Sequence, residues 1–331
     1  MKKGAAVIVL FFLLSGGILH SLGFREEEHG SELQFAILIK KGDESWYRKE
    51  AEGFAARCRE LGVSSIVMDN KMDPNIALVN IDLAIEKKVD GIAIVVPEQR
   101  MGPLIVDRAF ESNIAIVSLD LKLLDHQGRQ LAPHFGLDDK SAGYSAGVWL
   151  ARQVQELEWY GSLSNTIGIA AFTNMHITEY RVRVNECQRA LFEWLPELSR
   201  SRFFKLDYPG TDAVGGLLSM QELLNQHPEI TNWIVFSATD EGAIGAVRAL
   251  EQVGLGSRSI ACGIQAERAF GEFSLAQETA FKGAVFYDPY QLGSRAADAL
   301  YSYIKNGSAI PAVTSVPFKM ITRNDFRGTA E

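Results

Sequence analysis

QFAILIKKGDESWYRKE (34–50) carries a strand, a polar turn and the start of a helix in one uninterrupted stretch. QFAILI (34–39) is apolar almost throughout, with no polar alternation. Such a run suits a strand covered on both faces, as in a parallel sheet. KKGDES (40–45) breaks it with cations, carboxylates and a glycine, and from Trp46 to Leu61 the apolar positions recur at helical spacing. A strand–turn–helix unit of this kind, when repeated, defines an α/β architecture.

The unit does repeat. Strand-like runs return as SSIVM (64–68), GIAIVV (91–96), IAIVSL (114–119), TIGIAAF (166–172), FFKL (203–206), NWIVFS (232–237), SIACGI (259–264) and GAVFY (283–287). Helical patterns separate them, near 74–88, 102–112, 139–157, 178–194, 212–226, 240–253, 266–275 and 289–305. Right-handed crossovers between parallel strands follow from this alternation. So many strands fit two sheets of about five or six better than one wide sheet. The predicted fold class is α/β, with two lobes, each a parallel sheet flanked by helices. LLDHQGRQLAPH (123–134) is the least patterned stretch and is the candidate passage to the second lobe.

Composition narrows the function. A chain of 331 residues, 47% hydrophobic and 22% charged, is ordinary for a globular protein of two lobes. Its net charge of −8 repels phosphate backbones and argues against nucleic acid as a partner. Cys58, Cys187 and Cys262 show no CxxC spacing and read as buried thiols. There is no HExxH, P-loop or complete GxGxxG, and His126, His134 and His176 lack ligand spacing, so no cofactor or metal is implied. MKKGAAVIVLFFLLSGGILHSLGF (1–24) has a basic start, an apolar centre and a small-residue exit, the order of a secretory signal. An uncleaved membrane anchor is the other reading, because about 20 apolar residues suffice to span a bilayer. Both readings place the rest of the chain outside the cytoplasm.

Polar residues gather at the carboxyl ends of the strand runs: Lys40 to Tyr47 after the first, Glu98 after the third, Asp120 after the fourth, Thr239 and Asp240 after the seventh, Gln265 after the eighth. That edge is where open α/β sheets bind ligands. Two lobes facing each other across such edges would share one cleft. KKGDESWY (40–47) supplies cations, carboxylates and two aromatics together. Carbohydrates need this set, since their hydroxyls pair with charged donors and acceptors and their C–H faces lie on rings. Trp46 and Tyr47 could instead be core residues, although neighbours on a helix point in different directions. Arg183, in the helical TEYRVRVNE, can offer a fork of donors or lie solvated on the helix surface. Asp120 can face the cleft or serve a turn. At least one of Ser237, Thr239 and Asp240 is expected to cap the following helix. GYSAG (143–147) matches a nucleophile elbow, but the helical pattern starts before it, so Ser145 is expected inside a helix and no enzyme is predicted.

Beyond these residues, the chain resembles the periplasmic sugar-binding proteins of the ribose/arabinose/galactose class, and most of all the arabinose-binding branch. The likeness rests on KKGDESWY, GIAIVVPEQRMG (91–102), NQHPEITNWIVFSATDEGAIGAVRA (225–249) and ITRNDF (321–326). It implies a type 1 periplasmic-binding-protein fold with three hinge crossings, near 136–138, 284–288 and 311–314. The lobes would be 33–136 plus 288–311 and 138–284 plus 314–331. It implies capture of an arabinose-like pentose or a hexose by a monomer that closes about its hinge. The captured sugar would pass to the permease of an ABC importer or, alternatively, the closed form would be read by a chemoreceptor or membrane sensor kinase. Lys40, Glu44, Trp46, Tyr47, Asp120 and Arg183 fall on the family's contact positions, Arg183 on the donor to the ring oxygen. Thr211 and Thr239 stand where arabinose binders carry Asn, Leu121 where they carry a second Asp, and Val95 at the place of a cleft Cys. These departures set the expected ligand apart from L-arabinose itself.

Overall fold

The apolar runs become strands and the amphipathic runs become helices, in strict alternation through most of the chain. The computed structural model describes residues 33–157, 160, 166–208 and 210–327; the leader 1–24 lies outside them. In order, the elements are β1 (Gln34–Ile39), α1 (Ser45–Glu60), β2 (Ser64–Asp69), α2 (Pro74–Glu86), β3 (Gly91–Ile94), α3 (Gly102–Glu111), β4 (Ala115–Leu119) and β5 (His134–Leu137). There follow α4 (Asp139–Gln155), β6 (Ile167–Thr173), α5 (Thr178–Trp194), β7 (Phe203–Asp207), α6 (Ala213–Gln226), β8 (Asn232–Ser237), α7 (Asp240–Gln252), β9 (Ser259–Gln265), α8 (Ala269–Ser274) and β10 (Phe281–Tyr287). The last are α9 (Pro289–Asn306), β11 (Val313–Val316), β12 (Phe318–Thr322) and α10 (Arg323–Arg327).

Two six-stranded sheets result, ordered β2-β1-β3-β4-β5-β11 and β7-β6-β8-β9-β10-β12. Every pair is parallel except β10 with β12. The sequence reading missed β5, β11 and β12. His134–Leu137 and Val313–Val316 are four-residue strands that pair with each other, too short to show a period.

The chain passes from the first sheet to the second after Leu137. It returns after Tyr287, since α9 packs on α1 so closely that a Cβ on Gly53 would stand 2.0 Å from the Tyr290 carbonyl oxygen. Asp138 and Asp288 cap the helices that begin at these two passages. The third passage departs from the expectation of 311–314. Val313–Val316 still belongs to the first sheet and Phe318–Thr322 to the second, so the chain changes sheets at Pro317. Proline has no N–H to give a ladder, which ends one strand there and frees the next to pair elsewhere.

GYSAG lies wholly inside α4, away from any strand–helix turn. Its glycines serve packing instead: a Cβ on Gly143 would meet the Arg183 carbonyl oxygen at 2.3 Å, and one on Gly147 the Cys187 carbonyl oxygen at 2.6 Å. Helices α4 and α5 touch through this stripe. All three cysteines are free and buried. Among the described residues no helix is long and apolar enough to cross a membrane.

Candidate functional site

The carboxyl ends of β1, β8 and β9 converge on a cavity of about 370 Å³ between the two sheets. Ile39 ends β1, and the chain then turns through 40–44 before α1 begins, which leaves Lys40 and Glu44 lining the cavity with Trp46 and Tyr47 beside them in the first helical turn. Trp46 and Tyr47 are only 2% and 8% exposed, so both are buried and both border the cavity. The apolar cluster that takes them in runs through both sheets, so two adjacent residues can both enter it. From the second sheet come Tyr180 on α5, Thr211 after β7, Thr239 and Asp240 after β8, and Gln265 at the end of β9.

Eight of the residues expected from sequence therefore share one cavity: Lys40, Glu44, Trp46, Tyr47, Thr211, Thr239, Asp240 and Gln265. Glu98, Asp120 and Arg183 do not line it. Glu98 is exposed, and the inward position belongs to the next residue. Gln99 Nε2 donates to Glu179 at 2.7 Å, and Gln99 Oε1 accepts from the Thr178 backbone at 3.1 Å. Asp120 accepts from the Trp46 indole Nε1 at 2.7 Å and from the Tyr287 hydroxyl at 3.4 Å. Its backbone sits at φ +55° and the residue is half-buried, with its carboxylate engaged by these two donors. Arg183 is 3% exposed, donating from Nε to Asp139 at 2.7 Å and from Nη1 to the Ala238 carbonyl at 3.0 Å. It lies 5.1 Å from the centre of the Tyr180 ring and backs the cavity through that ring.

The reading missed Tyr180, Met72, Asp212, Glu241, Glu267 and Arg268 as lining residues. Tyr180 was within sight, one helical turn before Arg183. Glu267 and Arg268 lie just past Gln265, in a turn that precedes the helix, which begins at Ala269 and not at 266 as its pattern suggests. Thr239 caps α7, accepting from the Gly242 backbone at 3.4 Å, and its hydroxyl also meets Tyr208 at 2.8 Å.

Burial sets the charges. It lowers the pKa of Lys40, against the pull of Asp120 and Glu44, which favour the ammonium. Burial lifts Asp240 to about 7, helped by Glu241, while the Arg268 and Ala269 backbone N–H groups donate to its carboxylate and hold the shift back. Tyr47 and Tyr180 are pushed well up by burial and stay neutral phenols. Burial opposes the charge of Arg183, yet Asp139 holds its pKa above the ordinary value. Met72, Thr211 and Gln265 line the cavity with φ of +58°, +51° and +98°. Non-glycine residues held at positive φ concentrate where a ligand is to be met.

The two sheets are joined across the cleft. Lys122 Nζ reaches Glu179 at 3.2 Å, the Ser45 hydroxyl donates to Glu267, and the Trp46 and Tyr287 rings meet edge to face at 4.7 Å.

Two parallel sheets with facing carboxyl edges, three chain passages and a polar, ring-walled cavity between them define a two-lobed ligand-binding protein. The chain belongs to the periplasmic binding protein domain family, whose model matches residues 35–308. It is 26% identical over 210 residues to an ABC transporter L-arabinose-binding periplasmic protein of Azospirillum brasilense, covering 62% of this chain and 61% of that one. It is 27% identical over 191 residues to the L-arabinose-binding periplasmic protein of Escherichia coli, covering 57% and 56%. The matched region thus spans about three-fifths of the length of these curated relatives. An ABC transporter periplasmic solute-binding protein of Actinobacillus succinogenes, solved with bound D-allose, superposes with a TM-score of 0.75 at 19% identity, over 90% of this chain and all of that one.

Proposed function

We propose that this protein captures a monosaccharide, an arabinose-like pentose or a hexose, in the cavity between its sheets and delivers it to the membrane permease of an ABC importer. The observation that carries the reading is the pairing of two unlike walls across one small cavity. Lys40 and Glu44, beside Trp46 and Tyr47, face Thr211, Thr239, Asp240 and Gln265. Charged and hydroxyl groups would hold sugar hydroxyls in a fixed pattern, and the rings would cover the C–H face. A volume of about 370 Å³ suits a single small ligand. The names of the curated relatives, both arabinose-binding periplasmic proteins, support the same class.

Capture is binding without bond breaking. A sugar touching both walls would favour the closed arrangement through contacts that no open form can make. The lobes would divide at Asp138, Tyr287–Asp288 and Pro317, and the N-terminal apolar stretch would place the protein outside the cytoplasm. If that stretch stays attached as an anchor, the receiver would be a chemoreceptor or sensor kinase instead of a permease.

The test is a thermal-shift panel of pentoses, hexoses and polyols on the purified chain from Leu33 onward. A ligand that binds the folded form alone raises Tm by mass action. At least one monosaccharide is expected to raise it; a panel with no shift overturns the reading.

A further inference from the structure

Glu50 is completely buried, one helical turn beyond Trp46 on the same face of α1. Neither of its carboxylate oxygens has a hydrogen-bond partner of ordinary geometry, although Asp120 and Trp46 stand close enough to act on it. Water has no access from behind, because α9 is pressed against this turn. A Cβ on Gly293 would stand 2.0 Å from the Glu50 carbonyl oxygen. A bare carboxylate cannot persist in such a place, since burying a charge requires a partner.

The polar groups within reach are the Asp120 carboxyl and the Trp46 indole N–H, and the indole is already donated to Asp120 at 2.7 Å. Asp120 already accepts the Trp46 indole N–H and the Tyr287 hydroxyl. It has lone pairs left, and it needs a donor. We propose that Glu50 is a positioning residue of the sugar site: its carboxyl keeps its proton and donates it to Asp120, and Asp120 so fixed holds the Trp46 ring against Tyr287. The inference rests on the sugar-binding reading, because Trp46 is the wall it positions.

The surroundings agree. Burial first, and Asp120 second, push the Glu50 pKa well above the carboxylate range, with the Trp46 N–H opposing. Asp120 is raised by burial as well, with the Glu50 and Trp46 hydrogen bonds opposing. The titratable and charged groups around the pair come from every packed element: Lys40 after β1, Tyr47 on α1, Tyr180 and Arg183 on α5, and Tyr287 at the end of β10. Helix α9 presents Gly293 here, while its Asp298 is taken by Arg57. Lys40 and Arg183 favour one negative charge on the pair, and burial resists a second. Removing the shared proton would set two carboxylates against each other and release the indole ring.

Two measurements decide it. The first needs no ligand. An infrared difference between the parent and Glu50→Gln at neutral pH is expected to show a protonated carboxyl band that the variant lacks, and an ionised Glu50 overturns the proposal. The second uses the sugar that gives the largest shift in the panel, titrated from about pH 6 to about pH 10. Parent affinity is expected to fall about tenfold as pH rises, beyond any slope that Glu50→Gln retains through Lys40. Glu50→Gln, which still donates, is expected to bind within about twofold of the parent at neutral pH, and Glu50→Leu about tenfold more weakly. Equal losses in Gln and Leu variants, or identical pH slopes in parent and Glu50→Gln, overturn it. If no sugar binds at all, the functional reading fails separately. The infrared band and the pH course of the Trp46 indole N–H resonance then still decide the proton and its effect on the ring.

Discussion

The first-sheet wall of the cavity comes almost entirely from one continuous stretch, 40–47, with Met72 added. The second-sheet wall is assembled from Tyr180 and three separate loops: Gly210–Asp212, Thr239–Glu241 and Gln265–Arg268. The stretch 40–47 needs only a strand end and a helix start in register, and on that side Met72 alone of the lining residues sits at positive φ. The second needs several turns held at once, and Thr211, Gln265 and Ala266 sit at positive φ to achieve it. Each such residue stores roughly 1–3 kcal/mol of backbone strain that surrounding packing must offset. The assembled wall therefore depends on more separate supports than the contiguous one.

The sharpest way to break this contrast is to cut one support on each side. Arg183→Ala leaves Asp139 as a buried unpaired carboxylate and is expected to cost roughly 3–5 kcal/mol of stability. Trp46→Ala empties a buried ring site at a similar cost, roughly 3–5 kcal/mol. Urea melts measure both. In sugar titrations Trp46→Ala is expected to abolish binding, since it removes the wall. Arg183→Ala, if the fold survives, is expected to weaken binding through Tyr180 alone. Equal stability to the parent in either variant would contradict the burial on which the comparison stands.

The two sheets should also respond to pH in opposite senses. His134 of β5 is buried, with Nε2 unpartnered, and its pKa is pushed down to about 3 by burial and then by Lys122. Its folded pKa lies below the unfolded value of about 6.5. Its stabilising contribution is therefore complete above about pH 6.5 and is lost as pH falls toward 3, up to roughly 4 kcal/mol. Asp240 is the reverse: its folded pKa of about 7 lies above the unfolded value. Stability tied to its neutral form is present below about pH 4 and declines as pH rises through 7, again by up to roughly 4 kcal/mol. Urea midpoints across pH are expected to gain at neutral pH in Asp240→Asn and to lose their acid-side slope in His134→Gln. A parent profile that Asp240→Asn leaves unchanged would show the second wall to be wetter than its burial says.

Smaller effects sharpen the comparison further. Thr239→Ala removes the cap of α7 and a contact to Tyr208, which should lower stability by about 1 kcal/mol. Glu98→Ala touches neither wall and should leave Tm and sugar affinity unchanged, within about 0.5 kcal/mol. A loss of binding there would mean the cleft extends past Gln99.

The sequence made the first wall readable because its residues are neighbours and the helical register that aims them is local. The second wall was readable only where a strand ended in an obvious polar residue, as at Thr239, Asp240 and Gln265. Tyr180 looked like one more aromatic on an amphipathic helix. Glu98 and Gln99 could not be told apart, since which one turns inward depends on a short helical turn that Glu179, on a helix beside the other sheet, bonds through Gln99. The strands at 134–137 and 313–316 escaped because neither is long enough to show a period, and each is stabilised by the other across a long stretch of chain.

By itself the sequence determined the alternation of parallel strands and helices, and with it the edge on which a ligand would be met. Those follow from hydrophobic period and from polar residues at strand ends, both local properties. Only the tertiary structure decided that Asp120 takes Trp46 and Tyr287 as partners and Arg183 takes Asp139, that Glu50 is buried beside Asp120, and that the last passage falls at Pro317. The reason is physical: which way a buried charge points is settled by the partner it finds, and those partners lie far away along the chain.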